Sequence, residues 1–200
     1  MLPQVKHVIA WPTIHESPSE TRCNEETHPG RLGPLVCRGF AIVITIRVAD
    51  AKDISAISRL LIPVAEKQVA HEFGAEGTQA LLGGMNPEAI ANKMLCGYRY
   101  YLAIDSGRLV GVLGMRGYSH IYHLFVDEQA QGQGIGRLLF DTARQESLSE
   151  VSLSEFTVFS SHYAEEFYRT LGFRRTGDDK TKRGVTGVPM KLVLNRKDSK

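Results

Sequence analysis

Cysteine is scarce in this 200-residue chain: Cys23, Cys37 and Cys96 are odd in number, and no two form a Cys-x-x-Cys pair. Such spacing supports neither a disulfide framework nor a tetrahedral zinc site, so the expectation is three reduced thiols and no metal. Long apolar runs are missing as well. The longest, Phe40 to Ile46, is far short of the roughly 20 residues that a membrane-spanning helix needs. No charged start followed by an apolar stretch and a small-residue cleavage site opens the chain, and a cytoplasmic protein with no membrane partner is expected. Nor does charge of one sign dominate, since 24 Lys/Arg face 22 Asp/Glu for a net charge of +2. A concentrated basic face is the footprint of nucleic-acid binding, so no nucleic-acid partner is expected. The one asymmetry lies at the end, where Arg174 to Lys200 holds nine Lys/Arg against three Asp/Glu. A solvated terminal strand and tail accounts for it.

What is present is the balance of an ordinary globular domain, 42% hydrophobic and 23% charged. Five of the eight prolines (Pro3, Pro12, Pro18, Pro29, Pro34) fall in the first 34 residues, which show no helical or alternating period. Residues 1–40 are therefore read as an irregular N-terminal extension, 41–196 as a single domain and 197–200 as a tail. Trp11 and the short Val8-Ile9-Ala10 run could dock on that domain. Ala41 to Val48 reads as a strand, after which Asp50 can cap a helix carrying Ile54, Ile57, Leu60 and Leu61, with Pro63 ending or kinking it. Residues 64 to 85, broken by Gly74, Gly77 and Gly83-Gly84, read as mobile and loop-rich. Asn86-Pro87-Glu88 starts another helix that Gly97 stops. Tyr98 to Ile104 and Leu109 to Met115 form a hairpin around Ser106-Gly107, and a third strand covers Ile121 to Val126. A helix with Ile135, Leu138, Leu139 and Ala143 follows, then a strand near Phe156 to Ser160 and a helix with Ala164, Phe167, Tyr168 and Leu171. Strands at Phe173 to Gly177 and Val185 to Leu194 close the chain. The order predicts an α/β (α+β) domain: a mixed, mostly antiparallel sheet of six to seven strands flanked by about four helices.

The segment richest in chemistry is Leu124-Phe125-Val126-Asp127-Glu128-Gln129-Ala130-Gln131-Gly132-Gln133-Gly134-Ile135-Gly136-Arg137, a strand running through a glycine-rich turn directly into a helix. Backbone N–H groups of such a turn converge with the positive end of the helix dipole, which makes a phosphate cradle. A tight connection that needs glycine only for its dihedrals is the plainer alternative. The dinucleotide fingerprint fails because Arg137 stands at its last glycine, and no Gly-Lys-Ser/Thr follows to make a nucleotide-triphosphate loop.

Gln131-Gly132-Gln133-Gly134-Ile135-Gly136 resembles the acyl-CoA motif Arg/Gln-x-x-Gly-x-Gly/Ala of the GCN5-related N-acetyltransferases (GNAT). Ser161 to Phe173, ending in Tyr168-Arg169-Thr170-Leu171-Gly172-Phe173, is similar to a second block of the same family. The likeness runs from about Ile42 to Leu194, roughly three quarters of the chain. It implies that the backbone from Gln131 through Gly132, Gln133, Gly134, Ile135 and Gly136 to Arg137 holds the pyrophosphate of acetyl-CoA, the co-substrate. It further implies that the main chain of Leu124, Phe125 and Val126 pairs with the pantetheine arm as an added strand would. Ser161, where many relatives carry Asn, and Ala164 would lie against the same arm, and Tyr168 would protonate the leaving thiolate as general acid. Periodicity alone makes Tyr168 a core aromatic.

The acceptor side is thinner. Attack on a thioester needs a neutral amine, hence a base; His120 or His123 and the carboxylates Glu72 and Glu76 are candidates, and Glu66, Glu72 and Glu76 could attract a cationic amine. Strand alternation places His120 and Tyr122 on one side and His123 on the other. Solvated or hydrogen-bonded surface roles explain each of these residues as well. The resemblance implies an acetyl-CoA-dependent N-acetyltransferase acting on a small-molecule or peptide amine; a non-catalytic acyl-CoA-binding or sensing module is the alternative. A homodimer through the apolar alternation of Val188, Met190, Leu192 and Leu194 is open, as is an internal sheet position.

Overall fold

A computed structural model describes residues 10–11 and 44–195. The readings made for the rest of 1–40, for 41–43 and for the tail lie outside the described residues. Strand β1 is the two-residue Ala10–Trp11 and β2 is Ile44–Val48. Asp50 then closes a capping box over a single 3-10 turn, and helix α1 runs Ile54–Gln68. It continues through Pro63, so of the expected end or kink the end does not occur: the proline removes one helical donor, while burial of Ile57, Leu60, Leu61 and Ala65 holds the helix against the sheet. The stretch expected to be loop-rich is also ordered, with a 3-10 turn at Ala70–Glu72 and helix α2 at Ala75–Gly83. Helix α3 spans Pro87–Leu95, and the Asn86 side chain accepts from the Ala89 N–H at 2.7 Å.

Strands β3 (Tyr98–Asp105) and β4 (Arg108–Arg116) form the expected hairpin, with Ser106 and Gly107 both at positive φ. Strand β5 (His120–Val126) is buried along its whole length. Helix α4 (Ile135–Glu150), β6 (Glu155–Ser160), α5 (His162–Thr170), β7 (Arg174–Arg175), β8 (Lys180–Lys182) and β9 (Val185–Val193) complete the chain. The sheet runs β2-β3-β4-β5-β6-β9-β7, with β1 joined to β6 and β8 to β9 off that path. Every pair is antiparallel except β5 with β6. That is the mixed, mostly antiparallel α/β architecture read from the sequence, with a fifth helix, α2, and two short strands, β1 and β8, added. Val188 and Met190 are buried inside this sheet, where β9 lies between β6 and β7.

Two features position the site. The parallel pair β5–β6 has only two registered positions, His120 with Thr157 and Ile121 with Val158, after which the strands diverge into a fork. Strand β1 lies in that fork, paired to Ser160 and Phe159 of β6. The β8–β9 hairpin is pinned at its tip, where a Cβ on Gly77 of α2 would stand 2.1 Å from the Gly184 carbonyl oxygen. Only backbone against backbone allows that approach. Gly77→Ala is expected to lower stability by about 1–3 kcal/mol, as overpacking does; urea unfolding with an unchanged midpoint would show the contact to be slack.

Candidate active site

The glycine turn takes the shape its composition dictates. Asp127 caps a 3-10 turn at Glu128–Ala130 through its Oδ1, which accepts from the Gln129 N–H at 2.9 Å. Gln131 is extended, and Gly132 and Gly134 adopt φ of +76° and +79°. A Cβ at either would meet nothing within 4 Å, so the dihedral, not crowding, demands glycine. Helix α4 starts on Gly134 with no side-chain cap, which leaves its first N–H groups open. They face a cavity of about 210 Å³ lined by Val126, Gln131, Gly132, Gly134, Ile135, Gly136 and Arg137, with Phe167 and Thr170 from α5 on the far wall. An uncapped helix start beside two left-handed glycines is what a pyrophosphate needs, and the residues present fit one. Gln133 turns away, its Nε2 donating to the Gln129 carbonyl at 3.3 Å. Gln131 Nε2 donates to the Val126 carbonyl at 2.8 Å, and Arg137 Nη2 to that of Thr170 at 2.9 Å, tying α4 to α5. Phe167 reads from the sequence only as an apolar helix position and Thr170 carries no site signal, although their helix holds the second family-like block.

Leu124, Phe125 and Val126 pair with Leu113, Val112 and Gly111 of β4, so one edge of β5 is satisfied while the other faces the fork. Ser161 caps α5, its Oγ accepting from the Ala164 N–H at 3.2 Å. Ser161 directly follows β6, so this cap stands at the end of one strand of the fork. Tyr168 is fully buried, packed edge-on against Phe167 and Phe173, and its hydroxyl has no hydrogen-bond partner among the described residues. Burial pushes that phenol well above its ordinary value, so it stays protonated at neutral pH.

The histidines do not fall on opposite faces as alternation predicts. A bulge in β5, where Gly114 pairs with His123 but Met115 with Ile121, inserts Tyr122 as an extra residue. Tyr122 and His123 therefore join one aromatic cluster, ring centroids 4.7 Å apart, with Tyr98 and Tyr100 beside them. This corrects the expected opposite facing. Tyr100 Oη lies 3.2 Å from His123 Nδ1, and burial together with Lys93 holds His123 well below its ordinary value, in the neutral form. His123 lines neither cavity described here. His120, with Nδ1 2.8 Å from Thr157 Oγ1, opens onto a second cavity of about 540 Å³ at the root of the fork.

Among the carboxylates, Glu66 and Glu76 are exposed. Glu72 docks on the first turn of α5, where its Oε1 accepts from the Tyr163 N–H at 3.3 Å and its Oε2 lies 3.7 Å from His162 Nδ1; burial raises its pKa, the nearby His162 opposing. From there an ion network runs through His162–Asp179 at 2.6 Å and Arg175–Asp179 at 3.1 Å to Arg175–Glu165 at 2.6 Å. It fixes α5 to the segment that leads into β8. No group of three or more His, Cys, Asp or Glu able to hold a metal occurs among the described residues, and no helix there is long and apolar enough to cross a membrane.

Residues 69–194 match the family model described as an acetyltransferase (GNAT) domain. The chain is 35% identical over 75 residues to UPF0039 protein C11D3.02c of Schizosaccharomyces pombe, a stretch of 37% of this chain and 50% of that protein. It thus spans about half the length of that relative. Among solved structures, a GCN5-related N-acetyltransferase from Rhodopseudomonas palustris superposes with a TM-score of 0.67 at 20% identity, over 82% of this chain and all of the other. The PaiA N-acetyltransferase of Thermoplasma acidophilum, in complex with coenzyme A, gives 0.63 at 14% identity, over 76% and 99%. The ribosomal-protein-alanine N-acetyltransferase of Brucella melitensis gives 0.56 at 20%, over 74% and 99%. At these identities the structural likeness speaks for the fold.

Proposed function

The chain belongs to the GNAT acetyltransferases, and from that premise we propose that it moves an acetyl group from acetyl-CoA to a primary amine by direct attack in a ternary complex. The observation that carries this reading is the fork with a cavity at each end: an uncapped, glycine-lined helix start at its mouth and the His120 cavity at its root. Acetyl-CoA would enter at the mouth, its pyrophosphate on the N–H groups from Gln131 to Arg137 and its arm along the free edge of Leu124 to Val126. Strand β1 gives way to or lies beside that arm, since only two residue pairs hold it to β6. The amine would come from the root. His120 is the base better placed than His123, because it alone lines that cavity.

In the transfer the amine nitrogen bonds to the thioester carbonyl carbon and gives one proton to His120, directly or through water. The C–S bond then breaks, and the thiolate takes the Tyr168 proton. Orientation of the two reactants supplies much of the rate, and no residue need form an acyl-enzyme. The exposed Cys96, at the end of α3, lies apart from both cavities. Initial-rate kinetics of CoA release across an amine panel test this. Intersecting patterns in both substrates are expected, with His120→Gln lowering kcat and sparing the KM for acetyl-CoA. Parallel patterns would indicate a covalent route, and an unimpaired His120→Gln would remove the base.

A further inference from the structure

The cavity at the root of the fork is charged in a way that selects its occupant. Arg116, Lys180, Lys182 and Lys191 line it, opposed among the described residues by one carboxylate, Glu155. Lys191 Nζ meets Glu155 Oε2 at 3.2 Å, and Lys180 makes no ion pair among the described residues. The two β8 lysines are not on a loose loop. Asp179, directly before Lys180, is held by His162 and Arg175, and the far end of the hairpin is locked where Gly184 meets Gly77. The strand that carries them is thus fixed in place before any ligand arrives. At about 540 Å³ the space suits a small metabolite.

We propose that the amine acceptor carries an anionic group, a carboxylate or a phosphate, bound by the basic wall of Lys180, Lys182 and Arg116 while its amine faces His120. The inference rests on the acetyl-transfer reading of this site and narrows it. A polyamine or aminoglycoside would bring further positive charge against that wall, which costs binding and slows encounter. An amine with an acidic tail gains charge-assisted hydrogen bonds there and is oriented by them, tail on β8 and nitrogen toward the fork.

The test is a comparison of matched pairs as acceptors, O-phosphoethanolamine against ethanolamine and β-alanine against propylamine, with spermidine as the cationic comparator. Each is assayed by CoA release from acetyl-CoA. The acidic member of a pair is expected to have a kcat/KM at least about tenfold higher, the ratio one charge-assisted contact gives. In Lys180→Ala/Lys182→Ala, both exposed positions, that ratio is expected to fall toward unity through the amine KM, with melting temperature and acetyl-CoA KM retained. Equal or better use of the neutral or cationic amines, or a preference kept by the double variant, would overturn the anionic acceptor and leave acetyl transfer standing. Acetyl-CoA binding with no CoA release from any amine would overturn both.

Discussion

Gly134→Glu is expected to abolish acetyl-CoA binding in a protein that remains folded. Gly134 is the uncapped start of α4 at φ +79°, and its Cβ direction is empty for 4 Å around. A carboxylate placed there comes within a few ångströms of any pyrophosphate held on the turn. Two like charges about 5 Å apart near a protein surface repel by roughly 3 kcal/mol, which is more than a hundredfold in Kd. The left-handed conformation adds strain of about 1–2 kcal/mol for a side chain of any kind. Gly134→Ala carries the strain without the charge, so the gap between the two variants isolates electrostatics. Titration calorimetry of acetyl-CoA and of CoA into both, with circular dichroism to verify folding, reads the result. Wild-type affinity in a folded Gly134→Glu would make the turn a mere strand-to-helix connector.

That glycine turn was the most legible part of the sequence, because positive φ leaves few residue choices and the strand-turn-helix order is local. The same holds for the Asn86 cap and the Ser106-Gly107 hairpin turn, each decided within four or five residues. What escaped is non-local. Glycines 74, 77, 83 and 84 make residues 64 to 85 look broken, yet α2 forms there, and it carries Gly77 because that backbone must pass Gly184 from the far end of the chain. Pro63 reads as an end or a kink because its lost donor is a local fact, whereas the apolar face that carries α1 past it is a tertiary one. The bulge at Tyr122 inverted the facing of His123; nothing in Ile121-Tyr122-His123 announces it, since it arises from register against Gly114 and Met115 of the neighbouring strand. The basic cavity was hidden for the same reason. Arg116, Lys180, Lys182 and Lys191 are dispersed over 76 positions, and the three lysines read as part of a solvated terminal strand and tail until β8 folds against β9.

Tyr168→Phe separates a catalytic hydroxyl from a packing one, because the two roles predict opposite signs. The ring is enclosed by Phe167 and Phe173, and phenylalanine retains all of that packing. The hydroxyl, by contrast, is buried with no partner among the described residues, a position that costs about 1–3 kcal/mol in desolvation. Removing it should therefore raise the stability of the ligand-free protein by some part of that amount, read as a higher urea midpoint. Function should move the other way. Loss of a general acid typically costs about 10²-fold or more in turnover, and because the phenol is held protonated far above neutral pH, the deficit should persist across pH 6 to 9. Acetyl-CoA affinity should change little, since the proposed pyrophosphate cradle lies at the glycine turn and the start of α4, away from Tyr168. Leaving groups report the rest: an acetyl thioester whose thiol is more acidic than that of CoA needs less protonation, so the variant should recover a larger fraction of wild-type turnover with it. A destabilised variant with unimpaired turnover would mark Tyr168 as a core residue and return the thiolate to solvent protonation. A stabilised variant with a collapsed kcat would mean that the buried hydroxyl is kept, at a cost to the fold, for the moment when sulfur leaves.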